Sequence, residues 1–571
     1  MAGTTLDLEN LVNADALASQ ISRKYQEWRS LREKWEAEKV ELIKYIYATD
    51  TKTTTNKSLP WANSTTTPKL TQIHDNLKAN YEAALFPNSM WMSWVARDKD
   101  ANNKQKARAI QAYMSNKLEL GGFRKEADKL LDDFILYGNC FATVEWCNET
   151  HEQANGEISV GFVGPKIKRI SPYDIVFNPA ASSFEKTPKI IRSIVQLGEL
   201  DQLGYSQESI KMRDNRREVA GATDLKKADA FVADGFSSIE HYYQSEYVEI
   251  LTFYGDIYDR HTGELRKRRK IVIADRAYVL EDSEIASWLG RDPIFKAGWR
   301  SRPDNLYAMG PLDNLVGMQY RIDHLENLKA DVFDQIAYPM MLIQGDVEDF
   351  DYEPGERIIA GEEGNVTYLR PDGTALNADF QIQTLENKME ELAGAPRTAM
   401  GIRTPGEKTA FEVNSLQNAA GRIFQHKAAK FEMEFVEPIL NAMLEAAKRN
   451  MIDNESLRLR DTDLGANAFV TVTKDDILAR GHIVPVGARH FAERANRVQN
   501  LQNLIALMAN PQVGAHISGK KIAEMMADLL NEPDLYAENV AIREQENTQI
   551  ATNDSEANVM ESMMISQEEG L

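Results

Sequence analysis

The chain has 571 residues, enough for one large core or for several domains of ordinary size. Its 43% hydrophobic and 27% charged residues are those of a globular protein, and its net charge of −21 argues against sequence-independent wrapping of nucleic acid, which needs a basic surface. The opening "MAGTTLDLENLVNADALASQ" lacks the basic start and apolar run of a signal peptide, and no run of about 18 apolar residues occurs to span a membrane.

In chain order, Ile21, Tyr25, Trp28, Leu31, Trp35, Leu42 and Ile46 recur at helical spacing and predict one long amphipathic helix over 20–47. A polar loop, "TDTKTTTNKSLPWANSTTTPK", leads to a second helix carrying Leu70, Ile73, Leu77, Tyr81, Ala84 and Leu85, which Pro87 ends. "SMWMSWVAR" alternates like a strand, and helices follow at about 101–120 and 122–137, the second stopped by "YGN".

From 140 to 300 the period changes to two. "CFATVEWC", "EISVGFV", "KIKRIS", "YDIVFN", "IIRSIVQ", "YVEILTFYGDIYD" and "KIVIADRAYVL" read as strands of an α+β body with mostly antiparallel pairing. A charged insertion covers 199–237. The cysteines, Cys140 and Cys147, stand an odd number of residues apart, so a strand would point them to opposite faces. Neither a disulfide nor a zinc site is expected, and both read as small buried apolar residues of a reducing compartment.

A third helix spans about 311–336 on Leu315, Met318, Ile322, Leu325, Val332 and Ile336, closed by Pro339. Next comes a small β module with "MMLIQ", an acidic loop "GDVEDFDYEPGE", "RIIAG" and "NVTYLRP". The chain returns as a helix at 380–394 and breaks at "GAP". A helix of about forty residues then ends near Asn450, with a kink expected at Pro438. "FVTVT" and "HIVPVG" read as a strand pair, and helices at about 490–509, 518–531 and 536–546 precede an acidic tail expected to be disordered.

Between the last two central helices lies "GIRTPGEKTAFEV", residues 401–413. A phosphate-binding loop needs lysine directly after its second glycine and a buried strand before its first. Here Glu407 separates Gly406 from Lys408, and "MEELAGAPRTAM" precedes, so no nucleotide site is expected. Thr409 and Glu412 fit a capping box instead, which makes the stretch a loop pinned to a strong helix start. "RKRRK" at 266–270 reads as a solvated strand face rather than a nucleic-acid patch. Asp346, Asp349 and Asp351 lack the glycine-turned spacing of a calcium loop and read as an exposed acidic loop. With no HExxH and no GxSxG, no catalytic site, metal or cofactor is expected, and the chain reads as a non-enzyme.

The order of parts, together with "LTQIHDNLKANYEAALFPNSMWMSW", "LLDDFILYGNCFATVEW", "RISPYDIVFNP", "PIFKAGWRSRPDNLYAMGPLDNLVGMQYRIDHLENL" and "GIRTPGEKTAFEVNSLQNAAGRIFQHKAAKFEMEFVEPIL", resembles the portal (head–tail connector) proteins of tailed double-stranded DNA phages, nearest the short-tailed type. The resemblance covers roughly 20–510 and implies a predominantly helical α+β fold with wing, stem, clip and crown regions. It implies a wing over 1–310, stem helices over 311–338 and 376–394, a clip over 339–375, and a channel loop over 395–408. A long wing helix and strand pair would take 409–487, and crown helices 488–546.

The same resemblance implies a homo-oligomeric ring, a dodecamer, at one capsid vertex of the virion, assembled in the host cytoplasm. Double-stranded DNA would pass through it, and the terminase motor, tail adaptors and major capsid protein would be its partners. Arg397, Arg403 and Lys408 would face DNA from the loop, and Asp346, Glu348, Asp349 and Asp351 would dock tail adaptors at the clip. The competing readings are another phage head–tail adaptor or assembly protein and, further off, a nucleotide-dependent enzyme.

Overall fold

The computed structural model describes residues 5–8, 14–47, 62–86, 91–97, 103–152, 158–202, 205, 247–274, 276, 278–285, 292–350, 358–369, 373–393, 423–451, 454–460 and 467–487. All of them fall in one unit, Met1–Ala488. The expected channel loop with Arg397, Arg403 and Lys408, the Thr409 capping box, Asp351, most of the charged insertion, the crown helices and the acidic tail lie outside the described residues. Among the described residues the fold is α+β, with helix leading strand without reaching a half.

Two helices stand where one was expected at the start. Helix α1 covers Ala14–Ser30 and α2 covers Glu33–Ile46. The break at Leu31 and Arg32 has a physical reason on each side. Leu31 is 57% exposed, so the apolar stripe is interrupted there. Arg32 is buried, and its guanidinium donates to the backbone carbonyls of Pro172, Tyr173 and Ile175 while its Nε pairs with Glu36. That anchor lets the helices serve different cores. Leu17, Ile21, Tyr25 and Trp28 pack on one face of a sheet, whereas Leu42, Tyr45 and Ile46 join the main helical core.

That sheet has the order β5 (Ile175–Phe177), β6 (Lys189–Gln196), β7 (Tyr247–Asp259), β8 (Leu265–Ala274) and β9 (Tyr278–Glu284), and β1 (Thr5–Leu8) pairs with β7 in parallel. The period of two is legible in its burial. Leu251, Phe253, Ile271 and Ile273 face α1, while Val248, Ile250, Val272 and Ala274 pack with Leu200 of the short helix α6 (Leu197–Gln202). "KIVIADRAYVL" is a hairpin rather than one strand: β8 turns into β9 around Arg276, at φ 58°.

A second sheet runs β10 (Ile294–Gly298), β3 (Asn139–Glu152), β4 (Ile158–Ile170). Here "EISVGFV" and "KIKRIS" merge into one strand, since Gly164 and Pro165 stay in register against Cys147 and Trp146. Cys140 is buried, and burial pushes its thiol pKa well up. Cys147 is only half-buried, a correction to the expectation for both. Hairpin β11 (Arg300–Arg302) to β12 (Asn305–Met309) follows β10.

Helices α3 (Lys69–Leu85), α4 (Asn103–Leu120) and α5 (Phe123–Leu136) fill the main core, with β2 (Met92–Ala96) between α3 and α4. Gly138 ends α5 at φ 69°, and a β-carbon there would lie 2.3 Å from the Gly310 amide nitrogen, so only glycine fits.

The late long helix is described from 423. It contains a π turn, Glu432–Val436, directly before the α-helical stretch α9, Glu437–Asn450. Pro438 has no amide hydrogen for the Glu434 carbonyl and would crowd it. The turn before the proline accommodates this with the extra residue of a π turn. "FVTVT" and "HIVPVG" do not pair with each other. The first belongs to β16 (Asn467–Val472), which pairs with β15 (Glu455–Arg460). The second is β17 (Gly481–Pro485), which returns to β2. Between them the short helix α10 (Lys474–Ile477) starts from a capping box of Thr473 and Asp476 that the sequence reading passed over.

His74 shows how the α3–α5 contact titrates. Its Nδ1 lies 3.0 Å from Asp75 and its Nε2 lies 3.5 Å from Asp132 on α5. Burial alone would lower its pKa, but the two carboxylates outweigh burial and hold it above the ordinary value. A raised folded pKa stabilises fully below the unfolded value of about 6.5 and is lost as pH rises through the folded value. The melting temperature of the wild type is therefore expected to exceed that of His74→Gln at about pH 5.5 and to converge with it in mildly alkaline buffer. A gap that widens with pH would contradict this linkage.

Candidate functional site: an arm rich in exposed apolar side chains

Helix α7 (Val316–Ala337), hairpin β13 (Met340–Gln344) to β14 (Asn365–Leu369), a 3₁₀ turn Gly373–Ala378 and helix α8 (Asp379–Ala393) form one arm. α7 starts at Val316, not 311, because residues 311–315 are a turn held by Asp313, which accepts from the Gly310 amide at 2.8 Å. At about 1.5 Å per residue α7 is roughly 33 Å long.

The side of α7 toward the body is partly polar. Gln319, Asp323 and Asn327 are buried, and with Asp331 they repeat every four residues. Against them runs the extended stretch 62–67. Asn63 donates its amide to Asp331 (2.6 Å), Thr65 donates its amide to Asn327 (2.8 Å), and Thr67 donates its amide to Asp323 (2.9 Å). The Asn327 and Gln319 amide groups donate back to the carbonyls of Thr65 and Thr67. Four helical residues rise about 6.0 Å and two extended residues about 6.7 Å, so every second residue of the strap meets every fourth of the helix. Apolar anchoring adds Ile322, Leu325, Ile382 and Met389, all in the main core. At the base of α8, Lys69 and Glu390 pair at 2.6 Å with both side chains buried.

The exposed side of the arm mixes polar residues such as Arg321, His324, Gln381 and Lys388 with many large apolar ones. Among the described residues, thirteen of the twenty-two exposed large hydrophobic side chains lie between 320 and 392. Phe333 is 61% exposed, Tyr338 74%, Ile359 59% and Phe380 78%. On the hairpin, Met340, Leu342 and Ile343 are bare on one strand and Tyr368 and Leu369 on the other. A two-stranded hairpin exposed on both faces is marginal by itself.

At the far end of the hairpin the acidic residues expected there are exposed. Asp346 accepts at its carbonyl from the Gly361 amide (2.8 Å), and the Glu348 amide donates to Ile359 (3.1 Å), which turns Asp346, Glu348 and Asp349 outward together. Their clustering beside exposed Ile358 and Ile359 gives an acidic tip with an apolar flank. Among the described residues no group of three or more His, Cys, Asp or Glu is placed to hold a metal, and no helix is long and apolar enough to cross a membrane. The cavity among Phe86, Phe123, Leu130, Phe431, Phe435 and Ile439 is lined by apolar groups and offers nothing to orient a polar substrate.

"RKRRK" sits in β8 as expected of a solvated face. Arg268, Arg269 and Lys270 pair with Glu284, Asp282 and Glu281 of β9, and Arg266 pairs with Glu264. The strap 62–67 was missed in the sequence, although its signal was present: Gln319, Asp323, Asn327 and Asp331 are a polar stripe at helical spacing on a helix otherwise read by its apolar residues. No protein-family model matches the chain, and no curated protein matches it.

Proposed function

We propose that the chain is the subunit of a ring-shaped conduit for double-stranded DNA, a portal of a tailed phage. The single observation that carries the reading is the concentration of exposed large apolar side chains on the arm, whose polar body-facing residues are taken up by the strap. A wedge-shaped subunit in a closed ring must cover two different flanks on its neighbours, a heterologous contact that closes. Copies standing side by side would cover Phe333, Phe380 and the two faces of the hairpin. In this reading α7 and α8 are the stem and the hairpin is the clip. Its acidic tip, Asp346, Glu348, Asp349 and Asp351, docks tail adaptors. Residues 395–408 form the channel loop with Arg397, Arg403 and Lys408 toward DNA, and residues 488–546 form the crown.

The net charge of −21 per chain suits a conduit. A wall that repels phosphate lets duplex slide, where a basic wall would hold it. ATP hydrolysis would belong to a separate motor, in keeping with Glu407 standing in the way of a phosphate loop. The test is the native mass of the purified chain. A discrete assembly near twelve times 64.5 kDa, without ATP turnover, is the expected result. A monomer at all concentrations, or hydrolysis lost in Lys408→Ala, would replace this reading with another.

A further inference from the structure

Two basic groupings differ in a way that composition hides. The four cations of "RKRRK" named above each have a carboxylate partner. The other grouping is assembled from distant segments, "KAGWRSR" of β10–β11 and "HKAAK" of the late helix. Lys427 Nζ donates to the Trp299 carbonyl at 2.6 Å and lies 4.6 Å from the centre of the Trp299 ring. Lys430 Nζ donates to the Gly298 carbonyl at 3.3 Å and to Ser301 Oγ at 2.9 Å. Arg300 stacks over the same indole at 5.2 Å, and Arg302 donates to the Tyr307 carbonyl at 3.4 Å. Lys296 lies beneath, bonded to the Leu306 carbonyl.

These cations are held by backbone carbonyls, a hydroxyl and an indole face, none of which cancels charge. Among the described residues only Lys430 has a carboxylate within ion-pair range, Glu434 at 3.7 Å. Trp299 itself is fixed, buried with its indole nitrogen donating to Tyr81 at 3.0 Å, so the platform is rigid. The cations feel one another. Burial, then the neighbouring Lys430 and Arg300, lower the Lys427 pKa against the opposing pull of Glu434, and burial lowers that of Lys296 to about 8, opposed by Cys140 and Glu434 and reinforced by Lys430. Arg300 and Arg302 are exposed at the base of the β11–β12 turn. The result is a local positive field on a chain of net charge −21.

We propose that Arg300, Arg302, Lys427 and Lys430 are a contact site for the phosphate backbone of double-stranded DNA. The proposal rests on the conduit reading for the choice of polyanion. Arginine forks and pre-positioned ammonium groups suit phosphate oxygens, and cations already seated on carbonyls lose little freedom on binding. The site takes backbone without reading sequence, because nothing in it addresses base edges. A few such contacts would guide duplex over an otherwise repelling surface without arresting it.

The experiment uses the full-length chain and a fluorescent duplex of about 30 base pairs, followed by anisotropy from about 50 mM salt upward. The variant Arg300→Gln/Lys427→Gln/Lys430→Gln keeps donors for the carbonyls of Gly298 and Trp299 and removes three charges. Its affinity is expected to fall at least about tenfold at the lowest salt, and its salt slope by about 2–3, since each phosphate contact contributes about 0.9. Arg300→Gln/Arg302→Gln touches exposed side chains only, guards against a folding artefact, and is expected to lose about 2 in slope. No wild-type binding at low salt overturns the site. So do unmoved affinity and slope in both variants, or loss of assembly at unchanged DNA affinity, which would make the patch a seat for carboxylates of a second copy. If the wild type forms no ring but these variants still lose DNA, the site stands and the conduit falls. A ring with unmoved DNA affinity sinks the site alone.

Discussion

Phe333→Glu, Ile359→Glu and Phe380→Glu, made singly, are each expected to leave a folded monomer that assembles more than a hundredfold less well. All three side chains are more than half exposed in the single chain, so a charge there meets water and leaves the fold undisturbed. In an assembly that covers them the account changes. Burying one large apolar side chain contributes about 1.5–3 kcal/mol, and leaving a carboxylate in its place adds a desolvation cost of similar size or more. Every 1.4 kcal/mol is about tenfold in association, so a single change suffices. Sedimentation of each variant beside the wild type, with circular dichroism melts as the folding control, reads both parts. Assembly retained in all three would mean that the outward side of the arm is not the contact.

Arg32→Ala is expected to destabilise the subunit by about 3–5 kcal/mol, the largest single-residue effect on the fold named here. The substitution removes a fully buried guanidinium from three backbone carbonyls and from the buried Glu36 carboxylate at once. The carbonyls of Pro172, Tyr173 and Ile175 then lose the guanidinium donor, and the buried Glu36 carboxylate loses its ion-pair cation. Adding Glu36→Ala in the same chain should return part of the loss, because it removes a buried carboxylate that has lost its ion-pair cation. Urea unfolding of the three proteins measures this. A loss under about 1 kcal/mol would show that the break between α1 and α2 is set by packing alone.

Arg32 also marks where the sequence could and could not be read. Its position inside a run of helical spacing hid it, since periodicity reports faces and not the long-range partners that interrupt a helix. Where local signals act alone they were legible. α3 buries Leu70, Ile73, Leu77, Tyr81 and Leu85 as their spacing requires, and Gly138 ends α5 where "YGN" stands. Strands were visible one at a time, but partners were not. "HIVPVG" pairs with "MSWVA" nearly 400 residues earlier, a contact no local pattern encodes. The hairpin at Arg276 hid because apolar runs flank it on both sides and Asp275–Arg276 carries neither the glycine nor the proline that usually marks a turn.

The arm was legible in outline and wrong in emphasis. Ile322 and Leu325 were read as core and are core. Phe333 and Tyr338 drew no attention, because an exposed aromatic becomes informative only once the other side of its helix is seen to be occupied. The acidic tip was found from sequence, as Asp346, Glu348 and Asp349 form a charge run that folding leaves in place. The Trp299 patch was out of reach, since Lys427 and Lys430 stand 125 or more residues beyond Arg300 and Arg302 and only the fold makes them neighbours.

Electron-microscopic class averages of the purified full-length chain test the central claim most directly. The account predicts a closed ring of rotational symmetry with an open centre, its arms packed side by side. Compact single particles without a central opening, at every protein and salt concentration tried, would contradict it.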